Sequence, residues 1–215
     1  MKENKKFNYN VFAGGKNHAE KYDENLVHQW LIRGFMDCLV KFVLKTGKNA
    51  VFEVGCGEGQ LLGVLYQQGI DVAGMDIDRD AIQISQKNFN IAGIGSGGGY
   101  LLTQGDLYDL EKEDSRIKGR MLICCEVLEH VSDPERGLKI IADCTDEFFI
   151  VSVPHEPIWC MLNMFRGKYL KRFGNTPGHV NHWTKHSFRN MVSKYGEIIA
   201  IGTPLPWIMM LVKKR

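Results

Sequence analysis

Residues 51–59 read VFEVGCGEG, a short apolar run that leads into the alternating glycines Gly55, Gly57 and Gly59. Glycines let a backbone turn sharply and lie close to a bound molecule. In open α/β sheets, ligands bind outside the carboxyl ends of the strands. The stretch therefore predicts a strand at 50–54 followed by a ligand-binding loop, and the rest of the fold can be worked out from this point.

Strands and helices alternate on both sides of this loop. Apolar residues spaced by three and four predict a helix over 22–45, ended by Gly47. After the loop, strands are predicted at 71–75, 100–104, 121–125 and 148–153, and helices at 60–68, 81–89, 134–144 and 184–195. Repeated strand–helix units favour an α/β fold with a doubly wound, mostly parallel sheet and helices on both faces. The runs 198–202 and 207–212 are joined by a turn short enough to require antiparallel strands, so the sheet is expected to end in an antiparallel hairpin.

Length and composition predict one domain over residues 1–215, since 215 residues can bury one core. Its polar N-terminal part, 1–45, is expected to form a lid and a helix, and the glycine-rich stretch 93–99 a flexible loop. Residues 154–183 break the alternation and are interpreted as an insertion on the substrate side. Apolar residues at helical spacing predict a helix over 158–173, with a stripe formed by Ile158, Leu162, Phe165, Tyr169 and Phe173.

The insertion has two interpretations that the sequence leaves open. It carries basic charge on Arg166, Lys168, Lys171 and Arg172. A helix of this kind either packs on the core as a lid or contacts a membrane surface or a lipid-tailed substrate.

Composition limits the class of protein without identifying a partner. Apolar residues at 44%, charged residues at 24% and a net charge of +2 are ordinary for a globular protein. The small net charge argues neither for nucleic-acid binding driven by bulk charge nor against a local basic patch. Nucleic acid is an unexpected partner because no strong basic surface is evident beyond 166–172, and the oligomeric state is left open. The six cysteines form no C-x-x-C pair, and the N-terminus has no apolar signal core. These features favour a cytoplasmic protein with free thiols, with peripheral contact to a membrane as a further expectation from 158–173.

Acidic residues follow the second and third predicted strands. Asp76 stands where Rossmann-like sites place an acid on ribose hydroxyls, and Asp78 is better placed to cap the next helix. Asp106 can accept a hydrogen bond from an adenine amino group, and the Leu107 amide can contact a ring nitrogen. A dinucleotide fingerprint would read G-x-G-x-x-G, whereas Gln60 follows Gly59 here, which argues against an NAD-dependent dehydrogenase.

The motifs EVGCGEG (53–59), GMDID (74–78), QGDL (104–107) and CCEVLEHVSDP (124–134) occur in this order. Together they resemble the class I S-adenosylmethionine-dependent methyltransferases, in particular the group that includes the ubiquinone-pathway O-methyltransferases. The resemblance covers roughly residues 48–155 and implies a Rossmann-like fold and an S-adenosylmethionine cofactor. Gly119 and Arg120 depart from it, because the family often has an acid at the start of strand four.

The expected cofactor site lies at the carboxyl ends of the first four strands. A sulfonium cofactor has no phosphate, so the loop need not end in an anion site, and Glu53 suits the methionine ammonium. The expected cofactor-binding residues are Glu53, Gly55, Cys56, Gly57, Gly59, Asp76, Ile77, Asp106, Leu107 and Cys125.

The chemical step is expected where the fourth strand and the insertion meet. Methyl transfer from a sulfonium is an in-line displacement, so placing the acceptor supplies much of the acceleration. A hydroxyl acceptor also needs a base or a metal to help remove its proton. The catalytic candidates are Glu126, His155 and His179.

A metal site is a second expectation in the same place. Glu126, Glu129 and His130 form E-x-x-E-H, and at helical spacing they share one face. The end of the insertion, with His179 and His182, should return to the same rim of the sheet. Two carboxylates and one or two imidazoles suit a divalent ion of the Mg, Mn, Fe or Zn type, and the resemblance implies the same. The predicted ligands are Glu126, Glu129, His130 and His182, with His182 chosen over His179 because it lies nearer the following helix. The alternative is that Glu126 only helps to hold the cofactor and that His130 caps or packs.

Three functions remain open at this level. The favoured one is O-methylation of a hydrophobic or lipid-linked small molecule. The alternatives are 2′-O-methylation of RNA ends, because the E-x-x-E-H pattern also resembles the small-RNA methyltransferases, and a non-catalytic scaffold. The retained Glu53, glycines and Asp76 argue against the scaffold, and the sequence does not name the acceptor.

Overall fold

A computed structural model of the chain describes residues 26–91, 100–165, 167 and 169–215. The predicted N-terminal lid before residue 26 and the glycine-rich loop at 93–99 lie outside the described residues. So do two of the basic residues of the insertion, Arg166 and Lys168.

The described elements follow the predicted alternation closely. The helices are α1 Leu26–Thr46, α2 Gln60–Tyr66, α3 Arg79–Ile91, α4 Asp114–Ile117, α5 Pro134–Cys144, α6 Ile158–Phe165 and α7 Lys185–Val192, with 3-10 helices at Leu107–Glu113 and Leu170–Arg172. The strands are β1 Ala50–Val54, β2 Asp71–Asp76, β3 Tyr100–Gln104, β4 Met121–Cys125, β5 Phe148–Pro154, β6 Glu197–Gly202 and β7 Trp207–Lys213.

These strands form a seven-stranded sheet in the order β3-β2-β1-β4-β5-β7-β6. Strands β1 to β5 are parallel, whereas β7 is antiparallel to both β5 and β6. The predicted doubly wound sheet with an antiparallel end is therefore confirmed. Because Val54 pairs with both Met75 and Cys124, the carboxyl ends of β1, β2 and β4 lie level at the point where the strand order reverses. Such a switch point is where ligands bind in these folds.

The core has two layers, one on each face of the sheet. Apolar side chains of α1, α2 and α3 cover one face, with Leu39, Leu62 and Phe89 fully buried. Helices α5 and α7 cover the other face through side chains such as Leu138 and Phe188. Each helix buries one apolar stripe, so the sheet is held rigidly from both sides. All six cysteines are free thiols, as expected.

The insertion differs from the prediction of one helix over 158–173, which is wrong. Helix α6 ends at Phe165, Gly167 has a φ of 69°, and Tyr169 and Phe173 have φ values of 55° and 50°. Residues in the left-handed region cannot continue a right-handed helix, so the apolar spacing is not expressed as a single stripe. Met161, Met164, Leu170 and Phe173 are exposed instead. None of the described helices has the length and apolar character needed to cross a bilayer.

Candidate active site

Two cavities lie at the carboxyl ends of the strands. The strand-end cavity has a volume of about 430 Å³ and is lined by Val54, Gly55, Asp76, Ile77, Gly105, Asp106, Leu107, Tyr108, Glu126, Val127, His130 and Val131. The aromatic cavity has a volume of about 350 Å³ and is lined by His28, Ile32, Phe35, Met36, Glu53, Gly55, Cys56, Gly57, Glu58, Gln60, Leu61, Cys125, Glu126, Glu129, His130, Trp159, His179 and Trp207. Gly55, Glu126 and His130 line both, so the two cavities meet at these residues.

The loop after β1 is tied to the end of β2. The Gly57 amide donates to Asp76 Oδ2 at 2.7 Å, and the Asp78 amide donates to Asp76 Oδ1 at 2.8 Å. The amides of Gly55 and Cys56 both donate to the Met75 carbonyl. The carboxylate of Asp76 is thus fixed at the rim of the strand-end cavity before any ligand arrives. Asp78 caps α3, as expected, by accepting from the Asp80 and Ala81 amides.

Gly59 has a different place from the other predicted cofactor residues, because it lines neither cavity. Its φ is 85°, and an added Cβ would overlap Ser85 Oγ and lie 2.8 Å from Phe89 Cε2. The absence of a side chain lets α2 begin in close contact with α3. Gly59 therefore shapes the loop through packing.

The far wall of the strand-end cavity is formed around Tyr108. The Tyr108 amide donates to Asp106 Oδ1 at 2.9 Å, and its hydroxyl both donates to the Asp133 carbonyl and accepts from the Asp133 amide. The Arg136 guanidinium lies 4.8 Å from the centre of the Tyr108 ring, a cation–π geometry. Leu107 is buried beside Gly137. Tyr108 is thus held rigidly next to the two predicted adenine contacts, Asp106 and Leu107.

Glu126 follows β4 with a φ of 60°, a strained conformation for a residue with a side chain. Its Oε1 accepts from the Ser152 hydroxyl at 3.1 Å, and its Oε2 accepts from the Trp207 indole N–H at 2.6 Å. Two donors stabilise the ionised form of a carboxylate. Glu126 therefore stands as an oriented anion where the two cavities meet.

Glu129 is 1% exposed, and neither of its carboxylate oxygens has a hydrogen-bond partner among the described residues. Burial raises the pKa of its carboxyl well above the ordinary value, and the neighbouring Glu126 charge raises it further. A buried carboxylate without partners is costly, and such groups mark sites built for a proton or a cation.

His130 and His179 complete a group with Glu129, in which one ligand atom of each residue lies within 4.8 Å of the others. His130 Nδ1 donates to the Gly178 carbonyl at 3.0 Å, which leaves the lone pair of a neutral ring on Nε2. Burial lowers the pKa of His179 to about 4, with a smaller contribution from His130, so the His179 imidazole is neutral at neutral pH. We call these three residues the histidine–carboxylate group.

The structure brings His179, and not His182, to Glu129 and His130. The amides of Val180 and Asn181 donate to the Glu129 carbonyl, which directs the preceding residue, His179, into the aromatic cavity. His182 lies beyond this contact, with its Nδ1 3.5 Å from Glu156 Oε1. The expectation that His182, and not His179, joins Glu129 and His130 is therefore corrected. The chain contacts Glu129 through Val180 and Asn181, so the residue next to this contact inside the cavity is His179, whereas His182 follows it.

His155, the third catalytic candidate, lines neither cavity. It forms a parallel bridge with Trp183, and its amide donates to the Pro206 carbonyl. Burial lowers the pKa of its imidazole. Its position at the end of β5 joins the insertion to the sheet, away from the junction of the cavities.

Several lining residues were not predicted from the sequence. Phe35 and Met36 of α1 and Trp207 of β7 belong to apolar runs that indicated only core packing. Trp159 lies in the predicted helix of the insertion, and its ring stacks on His179 with centroids 5.7 Å apart, while its indole N–H donates to Thr176. The mixed aromatic and histidine composition of the insertion was the available signal for these contacts.

Comparisons with known proteins agree with this geometry. Residues 28–197 match the model of a family described as a methyltransferase domain. A ubiquinone biosynthesis O-methyltransferase of Pasteurella multocida is 33% identical over 105 residues, which cover 46% of this chain and 41% of that protein. A second one, of Coxiella burnetii, is 34% identical over 98 residues, covering 43% of this chain and 37% of that protein. The chain thus spans less than half the length of these curated relatives.

Solved structures have the same fold. Magnesium protoporphyrin IX methyltransferase from Synechocystis PCC 6803, crystallised with bound SAH, has a TM-score of 0.66 at 18% identity and covers 95% of this chain and 91% of its own. The methyltransferase domain of bacterial CtHen1-C has a TM-score of 0.64 at 21% identity, with 86% and 98% covered. At these identities the likeness concerns the fold.

Proposed function

Because the chain belongs to the methyltransferase domain family and is an S-adenosylmethionine-dependent methyltransferase, we propose that it methylates a hydroxyl oxygen of a hydrophobic or lipid-linked small molecule. The observation that carries the proposal is the junction of the strand-end and aromatic cavities at Gly55, Glu126 and His130. A methyl group held at this junction faces an apolar chamber that contains the histidine–carboxylate group.

The cofactor occupies both sides of the junction in this proposal. Asp76 accepts the ribose hydroxyls with the lone pairs that the Gly57 and Asp78 amides leave unused. Asp106 and the Leu107 amide contact the adenine edge, and Ile77 covers its face. Glu53, 1% exposed at the end of β1, takes the methionine ammonium, with Gly55, Cys56, Gly57 and Cys125 close to the methionine chain.

The acceptor lies in the aromatic cavity between Phe35, Trp159 and Trp207. Phe35 and Trp207 meet edge to face with centroids 5.0 Å apart, and Trp159 lies 5.8 Å from Trp207. Such walls favour an apolar or ring-shaped acceptor. The ionisable residues of this lining are glutamates, histidines and two cysteines, and no lysine or arginine is among its described residues, which disfavours an RNA backbone.

The reaction forms a bond between the acceptor oxygen and the methyl carbon while the carbon–sulfur bond breaks, and the sulfur keeps the electron pair. The walls hold the acceptor in line with the departing sulfur. The acceptor proton must leave during this step, and the neutral His179 imidazole in the cavity can take it. The oriented Glu126 anion stabilises the positive charge that the protonated imidazole then carries.

The histidine–carboxylate group also fits a divalent metal. The buried oxygens of Glu129 have no hydrogen-bond partner among the described residues, and a bound cation would neutralise their charge. The two imidazoles add nitrogen ligands of the kind preferred by Zn, Fe or Mn. The bond from His130 Nδ1 to the Gly178 carbonyl is typical of a metal-binding histidine. A bound ion supplies positive charge that favours the ionised acceptor hydroxyl. Glu126 borders this group and adds negative charge to it.

The insertion serves both as a lid and as a peripheral membrane contact in this proposal. Its inner side places Trp159 in the aromatic cavity, while its outer side exposes Met161, Met164, Leu170 and Phe173. A lipid-linked acceptor could then pass from a membrane surface into the cavity. This arrangement corresponds to a cytoplasmic protein at the membrane surface.

The test is a screen of acceptor classes with methyl-labelled S-adenosylmethionine. Lipid extract, small phenols and short RNA are compared, with Asp76→Ala as the control for cofactor-dependent labelling. Label on a hydroxyl of a lipid or phenol is expected. Label on RNA alone would favour the RNA-end alternative, and label on nitrogen would overturn O-methylation.

A further inference from the structure

The turn that carries Glu129 and His130 lies between β4 and α5 and has no regular secondary structure. The partner of both residues, His179, comes from the far end of the insertion. Nothing in the local sequence fixes the distance between these two segments, so contacts between them must do so. Several hydrogen bonds join the two segments, and two of them come from one side chain, that of Asn181.

Asn181 bridges the two ends of the short run that contains Glu129 and His130. Its side-chain amide donates to the Leu128 carbonyl at 3.1 Å and to the Val131 carbonyl at 2.7 Å. These carbonyls belong to the residue just before Glu129 and the residue just after His130. One amide group therefore clamps the two potential ligands in a fixed turn.

The backbone next to Asn181 joins the same turn. The Asn181 amide donates to the Glu129 carbonyl at 3.2 Å, and the Val180 amide donates to the same oxygen at 2.9 Å. His179 thus enters the aromatic cavity directly before a segment that is bound to the turn at several points. Trp159 also contacts His179 and packs on Trp207 of the core, but both are ring contacts without the directionality of a hydrogen bond.

We infer that Asn181 is the positioning residue that assembles the histidine–carboxylate group into a metal-binding site. This inference rests on the metal proposed above for that group. The side-chain amide of asparagine has two N–H donors for the two carbonyls, whereas leucine and aspartate of similar size have none. Loss of the clamp leaves two carbonyls without their donor, so the turn that holds Glu129 and His130 is no longer fixed at its two ends. The register of His179 then depends on the remaining bonds of the Val180 and Asn181 amides to the Glu129 carbonyl and of His130 to the Gly178 carbonyl. Changes of this kind around metal ligands weaken metal affinity by about 10- to 100-fold.

The experiment measures Co²⁺ binding to the full chain by calorimetry and by its visible absorption spectrum, without substrate. The variants are Asn181→Leu and Asn181→Ser, the second keeping one donor. Asn163→Leu is the matched control, because Asn163 also donates to a backbone carbonyl within the insertion, that of Gly174 at 2.9 Å. Near-ultraviolet circular dichroism verifies that each variant is folded, and Asn181→Ser carries the test if Asn181→Leu does not fold.

We expect the wild type to bind Co²⁺, Asn181→Leu to bind about 10- to 100-fold more weakly with an altered spectrum, and Asn181→Ser to lie between them. Asn163→Leu should lose thermal stability and keep the wild-type spectrum. Wild-type affinity and spectrum in both Asn181 variants would overturn the inference and leave the metal proposal standing. No Co²⁺ binding by the wild type would overturn the metal proposal, and the inference with it.

Discussion

The strand-end cavity and the aromatic cavity share a wall but are built in opposite ways. The first is formed by residues that directly follow β1 to β4, and its central acid, Asp76, already accepts two backbone amides. The second draws Phe35 from α1, His179 from the insertion and Trp207 from β7. Its central acid, Glu129, is buried with no hydrogen-bond partner among the described residues.

The difference separates two kinds of binding. A site whose polar groups are already satisfied is preorganised, so a ligand gains affinity without rearranging it. In a site with buried polar groups that lack partners, the desolvation of those groups destabilises the folded protein, and binding a proton or a cation relieves this destabilisation. We therefore expect the adenosine part of the cofactor to bind the strand-end cavity largely unaided, and chemistry in the aromatic cavity to depend on what occupies the histidine–carboxylate group.

The largest effect is expected from His179. His179→Ala should lower kcat by roughly 10²- to 10⁴-fold, because it removes the imidazole that takes the acceptor proton in the metal-free site or binds the metal in the loaded site. Its Kd for the cofactor should stay close to the wild-type value, since His179 is not among the proposed cofactor contacts. The matched variant is His182→Ala, which should retain most activity, because His182 faces Glu156 outside the cavity.

Turnover with and without a chelator, and metal content of the purified protein, check this prediction. If His179→Ala stays fully active while His182→Ala loses activity, the placement of the two histidines is wrong. Full wild-type activity in excess chelator would exclude a role for a metal, and an imidazole base would then be the remaining explanation.

Asp76 offers the corresponding test on the cofactor side. Asp76→Ala should weaken binding of S-adenosylmethionine by about 1–3 kcal/mol, because the ligand loses an ionised acceptor and the Gly57 amide loses its partner. Asp78→Ala should cost about 1 kcal/mol of stability through loss of the α3 cap, with cofactor affinity unchanged. Calorimetry on both variants checks the result, and equal affinities would remove Asp76 from the site.

Glu129→Gln should stabilise the metal-free protein at alkaline pH. The folded pKa of Glu129 is raised above its ordinary value of 4.5, so the folded state holds a proton that the unfolded chain releases, and stability falls as pH rises. The amide cannot ionise, so the variant should gain about 1–2 kcal/mol near pH 8.

Denaturant unfolding in chelator from pH 7 to pH 9 measures this gain. The lowered pKa of His179, about 4, acts in the opposite sense and only between that value and about 6.5, so it does not interfere in this range. A wild type whose advantage over the variant grows with pH would contradict the prediction.

The smallest effect is expected on the outside of the insertion. Replacing the exposed Leu170 and Phe173 with serine should weaken sedimentation with anionic liposomes about tenfold, since both side chains lose apolar contact with lipid. Added salt should weaken wild-type binding as well. Leu205→Ser, at an exposed loop outside the insertion, is the control. If the wild-type protein does not sediment with anionic liposomes at low salt, the membrane contact of the insertion is excluded and only its role as a lid remains.

The strand-end cavity could be predicted from the sequence because its residues are local. Gly55 directly follows β1, Asp76 is the last residue of β2, and Asp106 lies two residues after β3. Once the parallel strands were identified, the sequence therefore predicted that these residues share one edge of the sheet. Gly59 came from the same motif, but its packing against Ser85 and Phe89 depends on how α3 lies beside α2, which the motif does not contain.

The aromatic cavity could not be predicted because its contacts join distant segments. The bond from Trp207 to Glu126 exists because β7 lies next to β5, and an apolar run alone gives no such neighbour. The helix over 158–173 was predicted from periodicity, yet Gly167 and the left-handed Tyr169 end it, and periodicity carries no information on φ. The choice between His179 and His182 likewise depended on where Asn181 anchors the chain.

The position of β7 also bears on the order in which the molecule folds. Strand β6 precedes β7 in the chain, but among the described strands it pairs with β7 alone, and β7 lies between β5 and β6. Strands β1 to β5 can therefore pair first, whereas β6 can join the sheet only after β7 has paired with β5. Pairing of β5 with β7 then brings Trp207 to Glu126 and seals the wall between the two cavities. We expect a folding intermediate in which the strand-end cavity is already formed. The aromatic cavity, which holds the acceptor, forms last.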